Sequence, residues 1–590
     1  MLLTPRGSTE APGLSDLPDF EEVKKRVKVI KFDTDEYVEL MIFLPGFSGN
    51  FPNHYALYVP AFLQLLYGHS VRPPEKPTIS LRSRRDRHQE LRDKLEKAKK
   101  RLQNQDDGLR HEITTNLRLK GGEDPAEARR RENAEARGGM RNPLNSLKKV
   151  PGHLPLATKT VKIIRHFLKQ HPKVAPSILE SIGVSKEELE RRGFRDELDH
   201  AALDHLRSEV AGVVGADLHE DTNLTELIAP LFKGWIKSAA DPDVPLGRWL
   251  HEGAPAGITT HPESVGIFPV SEAPPSQEFE LALWKGDEVN YTSMDESPFA
   301  KGVLEQLVET GYIRKVGSIQ EAKAVLNGKT PVISKGALIS KEKDGVMKHR
   351  LILDCRVSGT NSATAKWERI LLPKVWDVVR DTLTLQANAQ PGWTFKFLVC
   401  DISDAFYKMP LLPAERPYFV LQYSLFYYIW LRLGQGSLNG PTLFGRLSAF
   451  VGRASQAILY EIGARIQIYT DDPIVCLHAP DECINEAVVI LIVFWRILGF
   501  ALATHKAQLA SAVGWIGYDL EATTEGITVS IKKAFLDDLL KDTCHFLKQN
   551  VIGIRVLRSY TGRENHIANL LFGWRPFLDA LWAAVSGEPE

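Results

Sequence analysis

No stretch of this chain is apolar enough to cross a bilayer: the longest greasy run, 487–498, is too short and carries Arg496. A signal-peptide core is missing as well, since the opening MLLTPRGSTEAPG has no apolar centre. Together these absences predict an intracellular protein, cytoplasmic or nuclear, with no membrane partner. Cysteine is scarce. Cys355, Cys400, Cys476, Cys483 and Cys544 are odd in number, widely spaced and never arranged as CxxC. That excludes a zinc module and fits buried thiols in a reducing compartment. Net charge is absent too, with 74 Lys+Arg against 74 Asp+Glu, so any grip on nucleic acid must come from local patches. Tryptophan is missing from the start: all 11 lie at or after Trp235. The densely packed part is therefore expected to begin near there, behind an accessory region.

What is present fills 590 residues, enough for several domains and an ample core. Residues 1–150 read as an N-terminal accessory region with a charged, poorly ordered stretch over 82–142. Within it, 82–101 is strongly basic, either a solvated arm or a nucleic-acid patch. Over 151–240 the pattern turns helical. Val161, Ile164, Phe167 and Leu168 share a face, and Ser185 with Glu188 has capping-box spacing. Residues 241–295 are rich in Pro and Gly and read as a connector.

The most informative stretch is RIQIYTDDPIVCL, Arg465 to Leu477. Its first half alternates as a strand does, and Asp471 with Asp472 interrupts an apolar run that then resumes, which predicts a hairpin with two acids at its tip. Asp pairs also simply form turns. A third acid, Asp401, ends another apolar run, FLVCD. Carboxylates gathered from two strands suit a hard cation such as magnesium, which keeps waters and substrate phosphates in its shell.

Several further segments follow one order: DISDAF at Asp401–Phe406, QGSLNGPTLF at Gln435–Phe444, YTDD at Tyr469–Asp472, GFALATHK at Gly499–Lys506 and WIGY at Trp515–Tyr518. The series resembles the polymerase domain of reverse transcriptases of retrotransposon type. The resemblance implies an α+β right-hand fold: fingers over 296–395 and 413–437, palm over 396–412 and 438–530, and thumb over 531–590. It implies Asp401, Asp471 and Asp472 as catalytic metal ligands, with Ile402 in the metal set, holding two Mg²⁺ ions or Mn²⁺ in their place. Lys343 and Arg350 of the fingers hairpin would reach the triphosphate, with Lys341 as the alternative to Lys343. Phe406 would exclude a ribose 2′-hydroxyl, Gln435 and Gly436 would lie against nucleotide and template, and Lys506 would serve as proton donor or phosphate contact. Trp515, Ile516, Gly517 and Tyr518 would form the primer grip, and the basic residues from Lys532 to Arg563 a thumb along the phosphate backbone.

The partners implied are an RNA or DNA template with its primer, and dNTPs. Pro473 departs from the pattern by removing a strand donor directly after the acid pair. About seventy residues follow the grip, short for a thumb plus ribonuclease H, and no integrase-like His/Cys pattern or DTG/DSG triplet occurs. The expected function is RNA-directed DNA polymerisation. The alternatives are a catalytically inactive, retroelement-derived nucleic-acid-binding protein and an RNA-templated RNA polymerase.

Overall fold

The computed structural model describes residues 152–271, 281–283, 290–343, 346–387, 390–523, 526–549, 551–571 and 574–586. The accessory region 1–150, with its charged stretch, lies outside them. The chain divides into two compact units, Met140–Lys532 and a second made of Met1–Gly139 with Lys533–Glu590. Among the described residues no helix is long and apolar enough to cross a membrane.

The first unit opens with helices. In α1 (His153–Gln170), Val161, Ile164 and Phe167 are buried, as their spacing predicts. After α2 (Val174–Ser181), the Ser185 hydroxyl caps α3 (Lys186–Arg191) by accepting from the Glu188 N–H at 3.2 Å. Next come α4 (His200–Val214) and α5 (Ala229–Ser238). The connector expected over 241–295 is in part a helix, α6 (Val244–Glu252). Pro245 is tolerated because it sits in the first turn, where no backbone donor is required. Leu246, Trp249 and Leu250 are buried as the helix packs against α5.

The chain continues with α7 (Ala300–Glu309), β1 (Ile313–Val316) and α8 (Ile319–Val325). An antiparallel hairpin follows, β2 (Lys335–Lys343) and β3 (Val346–Asp354), with Leu351 and Leu353 buried as expected. Beyond α9 (Val375–Gln386) and β4 (Thr394–Val399), strands β5 (Val420–Tyr423) and β6 (Phe426–Trp430) join β1 in the order β1-β6-β5.

The central sheet is completed by α10 (Gly440–Ile458), β7 (Arg465–Tyr469), β8 (Asp472–Ala479), α11 (Asp481–Ile497) and β9 (Gln508–Ala510). Its order is β7-β8-β4-β9, antiparallel throughout. Ile466, Ile468, Val475, Leu477 and Leu398 share one face and join the core formed with α10 and α11. The other face is covered as well. The Gln467 amide donates to Asp381 of α9 at 2.6 Å, and Cys476 meets Thr382 of the same helix at 3.8 Å. α9 thus covers the second face at β7 and β8, which is why the polar member of the β7 alternation is buried. A second small sheet, β10 (Ala512–Trp515), β11 (Tyr518–Thr523) and β12 (Gly526–Ile531), closes the first unit.

In the other unit, α12 (Lys533–Phe546), α13 (Ile554–Leu570) and α14 (Arg575–Ser586) pack together. Thr543 and Tyr560 share a 2.8 Å hydrogen bond, and the Trp574 indole donates to Glu564 at 2.7 Å.

Candidate active site

The ladder between β4 and β8 ends at Val399 opposite Ile474. One more bond follows, from the Cys400 N–H to the Pro473 carbonyl at 3.2 Å. Pairing across an antiparallel ladder alternates, so the donor Pro473 lacks is the one that would have returned this bond. The chain is therefore free to leave the ladder at the residue before Asp401. Pro473 is the second residue of β8, a central strand, where proline is rare. It is accommodated because it lies at the end of the pairing.

Past that point the Ile402 N–H donates to the Asp471 carbonyl at 3.2 Å, and the Ala503 N–H donates to the Asp401 carbonyl at 3.0 Å. These bonds set Asp401 beside the hairpin turn. The turn is Thr470–Asp471, with Tyr469 opposite Asp472 as the closing pair, so Asp472 opens the strand and the tip lies one residue earlier than expected. Thr470 has φ +58, a left-handed conformation that a β-branched side chain adopts only under constraint. Its carbonyl is held by the Ser448 hydroxyl of α10 at 2.7 Å.

Burial pushes the Asp471 carboxyl above its ordinary value, and the Asp401 charge adds to the push, while Arg350 and Lys506 oppose it. Lys506 forms an ion pair with Asp401. Among the described residues no group of three or more His, Cys, Asp or Glu side chains is arranged to hold a metal. Asp472 is held through its main chain, its carbonyl accepting from the Trp515 indole at 3.0 Å. The Trp515 ring meets Tyr469 edge-on, centroids 6.4 Å apart. Two carboxylates still fit magnesium, which takes one or two protein carboxylates and completes its shell with water and phosphate.

The β2–β3 hairpin carries a cation, Arg350, whose charge is felt at Asp471. Lys341 lies opposite Lys348, and Ile339 opposite Arg350, so Lys341, Lys348 and Arg350 share one strand face. Lys343 falls on that face by register; its side chain lies outside the described residues. Gln435 and Gly436 are stitched to the base of the same hairpin. The Leu353 N–H donates to the Gln435 carbonyl at 3.1 Å, and the Asn361 amide donates to the Gly436 carbonyl at 2.9 Å. Gly436 has φ +118, and a Cβ there would lie 2.0 Å from the Leu353 carbonyl oxygen. Its close approach is thus to the hairpin backbone. Phe406, half-buried, lies 5.6 Å from the Phe444 ring of α10.

In the β10–β11 hairpin, Trp515 is paired with Tyr518 in register, both buried, around a two-residue turn of Ile516 at φ +40 and Gly517 at φ +89. Both central residues have positive φ, the hairpin turn that normally takes Asn-Gly. Sequence reasoning missed Ser448 and the Trp515 tie to Asp472. A lone serine in an apolar helix and a tryptophan in a strand give no local sign of such bonds.

Residues 339–520 match the family profile "Reverse transcriptase (RNA-dependent DNA polymerase)". The Gag-Pol polyprotein of Gibbon ape leukemia virus is 25% identical over 241 residues, 35% of this chain and 14% of that polyprotein. That of Walleye dermal sarcoma virus is 29% identical over 114 residues, 19% of this chain and 6% of that one. The chain thus spans a small part of the curated relatives it matches. Among solved structures, a foamy viral protease-reverse transcriptase in complex with double-stranded DNA is similar at 18% identity and a TM-score of 0.34, over 55% of this chain and 49% of that one. Residues 339–520, which hold the ordered motifs and both approaching acids, are a reverse transcriptase domain.

Proposed function

We propose that the chain is an RNA-directed DNA polymerase of a retroelement, extending a primer 3′-end on an RNA or DNA template with dNTPs. The observation that carries this reading is the Ile402-to-Asp471 main-chain bond, which ties the segment of Asp401 to the hairpin turn of Asp471, where the Asp401 charge is felt. Asp401 and Asp471 would hold two divalent cations, Mg²⁺ or Mn²⁺, that supply Lewis-acid activation of the primer hydroxyl and neutralise the phosphates. The chain's own groups do the rest. Arg350 meets the triphosphate with a planar fork, and Lys343 or Lys341 adds a point charge from the same strand face. Phe406 narrows the space beside the sugar. Trp515 holds the acid hairpin from behind while the 516–517 turn meets the primer. Lys506, released from Asp401, faces the phosphates.

Asp471→Asn tests this. Incorporation of dNTP on a primed RNA template is expected to fall at least about a thousandfold, the scale of losing a group on which charge stabilisation depends. Duplex affinity is expected to stay within about twofold, because backbone contacts dominate it. An unaltered protein inactive with both metals overturns the reading. A second reading, a nucleic-acid-binding protein without catalysis, is favoured by Pro473, which removes a strand donor directly after the acid pair. Its mark is a positive gel shift with no primer extension.

A further inference from the structure

The helices over 152–252 have no part in that chemistry, and α1 among them carries charge of one sign. Between Glu135 and Glu180 the chain holds no acid and nine Lys or Arg, although its charges balance overall at 74 of each. One face of α1 is fixed, with Leu156, Val161, Ile164 and Phe167 buried and the helix packed on α4, α10 and α11. On the opposite face Lys159, Lys162, His166 and Lys169 are exposed at intervals of three, four and three residues. That spacing lines them up as a single stripe, about 15 Å long at the helical rise.

The acids near this helix answer its flank. Arg165, off the stripe, donates to Glu486 of α11 and to Glu461, both at 2.9 Å. The three lysines of the stripe make no ion pair among the described residues. Like charges three and four residues apart on a helix repel, and an anionic partner removes that cost.

The side chains around the stripe select among anionic partners. A membrane surface calls for large apolar groups beside the cations, and those of α1 are turned inward. An unpaired strand is held by exposed aromatic rings on which its bases stack, and Phe167, the one Phe, Tyr or Trp of α1, is buried. A duplex hides its bases and offers phosphates, which lysines meet as point charges without reading sequence.

We propose that the outer face of α1 docks double-stranded nucleic acid by its phosphate backbone, through Lys159, Lys162 and Lys169. The buried face of α1 packs on α10 and α11, so the stripe is turned away from the central sheet that carries the acid hairpin. The grip is therefore separate from the polymerase chemistry and does not depend on it.

The full chain is compared with a reversed variant, Lys159→Glu with Lys162→Glu and Lys169→Glu, and a conservative one, Lys159→Arg with Lys162→Arg and Lys169→Arg. The probes are a short blunt DNA duplex and its RNA counterpart, followed by gel shift and salt titration. The reversed variant is expected to bind at least about tenfold more weakly, with a log–log salt slope on DNA shallower by about 2.7, the share of three phosphate contacts. The conservative variant is expected to stay within about twofold of the unaltered protein. Extension of a saturating short primer–template is expected to be unchanged in both. Unaltered affinity and slope in the reversed variant overturn the proposal, and so does an equal loss in the conservative one, which would place the effect in the fold. Lost extension at saturation overturns the separateness of the surface. Polyglutamate displacing the duplex as well as an equal charge of DNA does gives the face to an acidic protein instead. If the reversed variant unfolds, Lys162→Gln alone carries the test, with a slope shallower by about 0.9. If the unaltered protein extends no primer but reversal still weakens duplex binding, the docking surface stands and the polymerase reading falls.

Discussion

Asp381 lies on α9 under the central sheet, its carboxyl accepting from the Gln467 amide at 2.6 Å. Burial lifts it to about 6 from an ordinary 3.8, with Gln467 pulling the other way. The folded protein therefore keeps this proton over a range in which the unfolded chain has lost it. Its contribution is whole below about pH 4, falls as pH rises toward about 6 and is level above, a loss of at most about 3 kcal/mol. Asp381→Asn keeps an oxygen for Gln467 and cannot ionise. Urea midpoints are expected to match the unaltered protein near pH 4 and to show a gain of about 1–3 kcal/mol at pH 7. A gain equal at both values would place the effect in packing instead. Phe406 divides two explanations in the same way. If its ring crowds the sugar, Phe406→Val raises rNTP use relative to dNTP by about tenfold or more in primer extension. If it only packs on Phe444, the melting temperature falls and selectivity stays. Asp401 and Asp471 are legible in the sequence because acids stand out in apolar runs. Asp381 with Gln467, Ser448 with Thr470 and Trp515 with Asp472 are not, because these partners lie 86, 22 and 43 residues apart.

Hairpins are where the sequence speaks most clearly and also where it stops short. Alternation and the paired acids place β7 and β8, and Leu351 with Leu353 fixes the buried face of β3. What alternation does not tell is which turn geometry closes the loop. Thr470 and Ile516, both β-branched, take positive φ at two tips that touch through Trp515, where Asn or Gly is the easier residue. Tertiary contacts hold them there, among them the Ser448 bond. Nor does period two reveal that the sheet is covered on both faces, since a buried Gln467 reads as a solvent-facing residue until its partner on α9 is known. Trp515 links the two tips and yields a test at this scale. Trp515→Phe keeps the ring near Tyr469 and removes the donor to the Asp472 carbonyl. An unsatisfied carbonyl costs about 1–3 kcal/mol in stability. If the indole acts by steadying the acid hairpin, kcat falls while duplex Kd is unchanged. A weaker Kd at constant kcat would instead place Trp515 in direct contact with the primer.

At the scale of the whole molecule, the late start of tryptophan suggests a dense domain beginning near residue 235, with everything earlier accessory. Yet α1 and α4 contribute Ile164, Leu206 and Val210 to the same core as α10 and α11, within one compact unit. These helices pack with aliphatic side chains and Phe167 rather than tryptophan, so a tryptophan count passes over them. Their tie to α10 is also ionic. Arg453 forks onto Asp241 at 2.8 Å through both nitrogens, and Asp241 also accepts from His153 at 2.7 Å. Seven residues earlier on the same helix face, Arg446 pairs with Asp243, donates to the Glu263 carbonyl at 2.6 Å and lies 4.2 Å over the Trp249 ring. Burial alone would raise the Asp241 carboxyl, but the bonds from His153 and Arg453 outweigh it and hold it low. Its stabilisation is therefore present above the ordinary carboxylate value and lost only as pH falls below it. Breaking a buried pair strands the remaining charge, at a cost of about 3–5 kcal/mol, whereas replacing both partners with apolar residues is often nearly neutral. Asp241→Asn is accordingly expected to shift the main urea transition of the full chain by that amount, and Asp241→Leu with Arg453→Met to recover most of it. A loosely docked accessory would behave otherwise. Asp241→Asn would then leave the main transition in place and add an earlier one for the helices alone, and the double change would recover nothing.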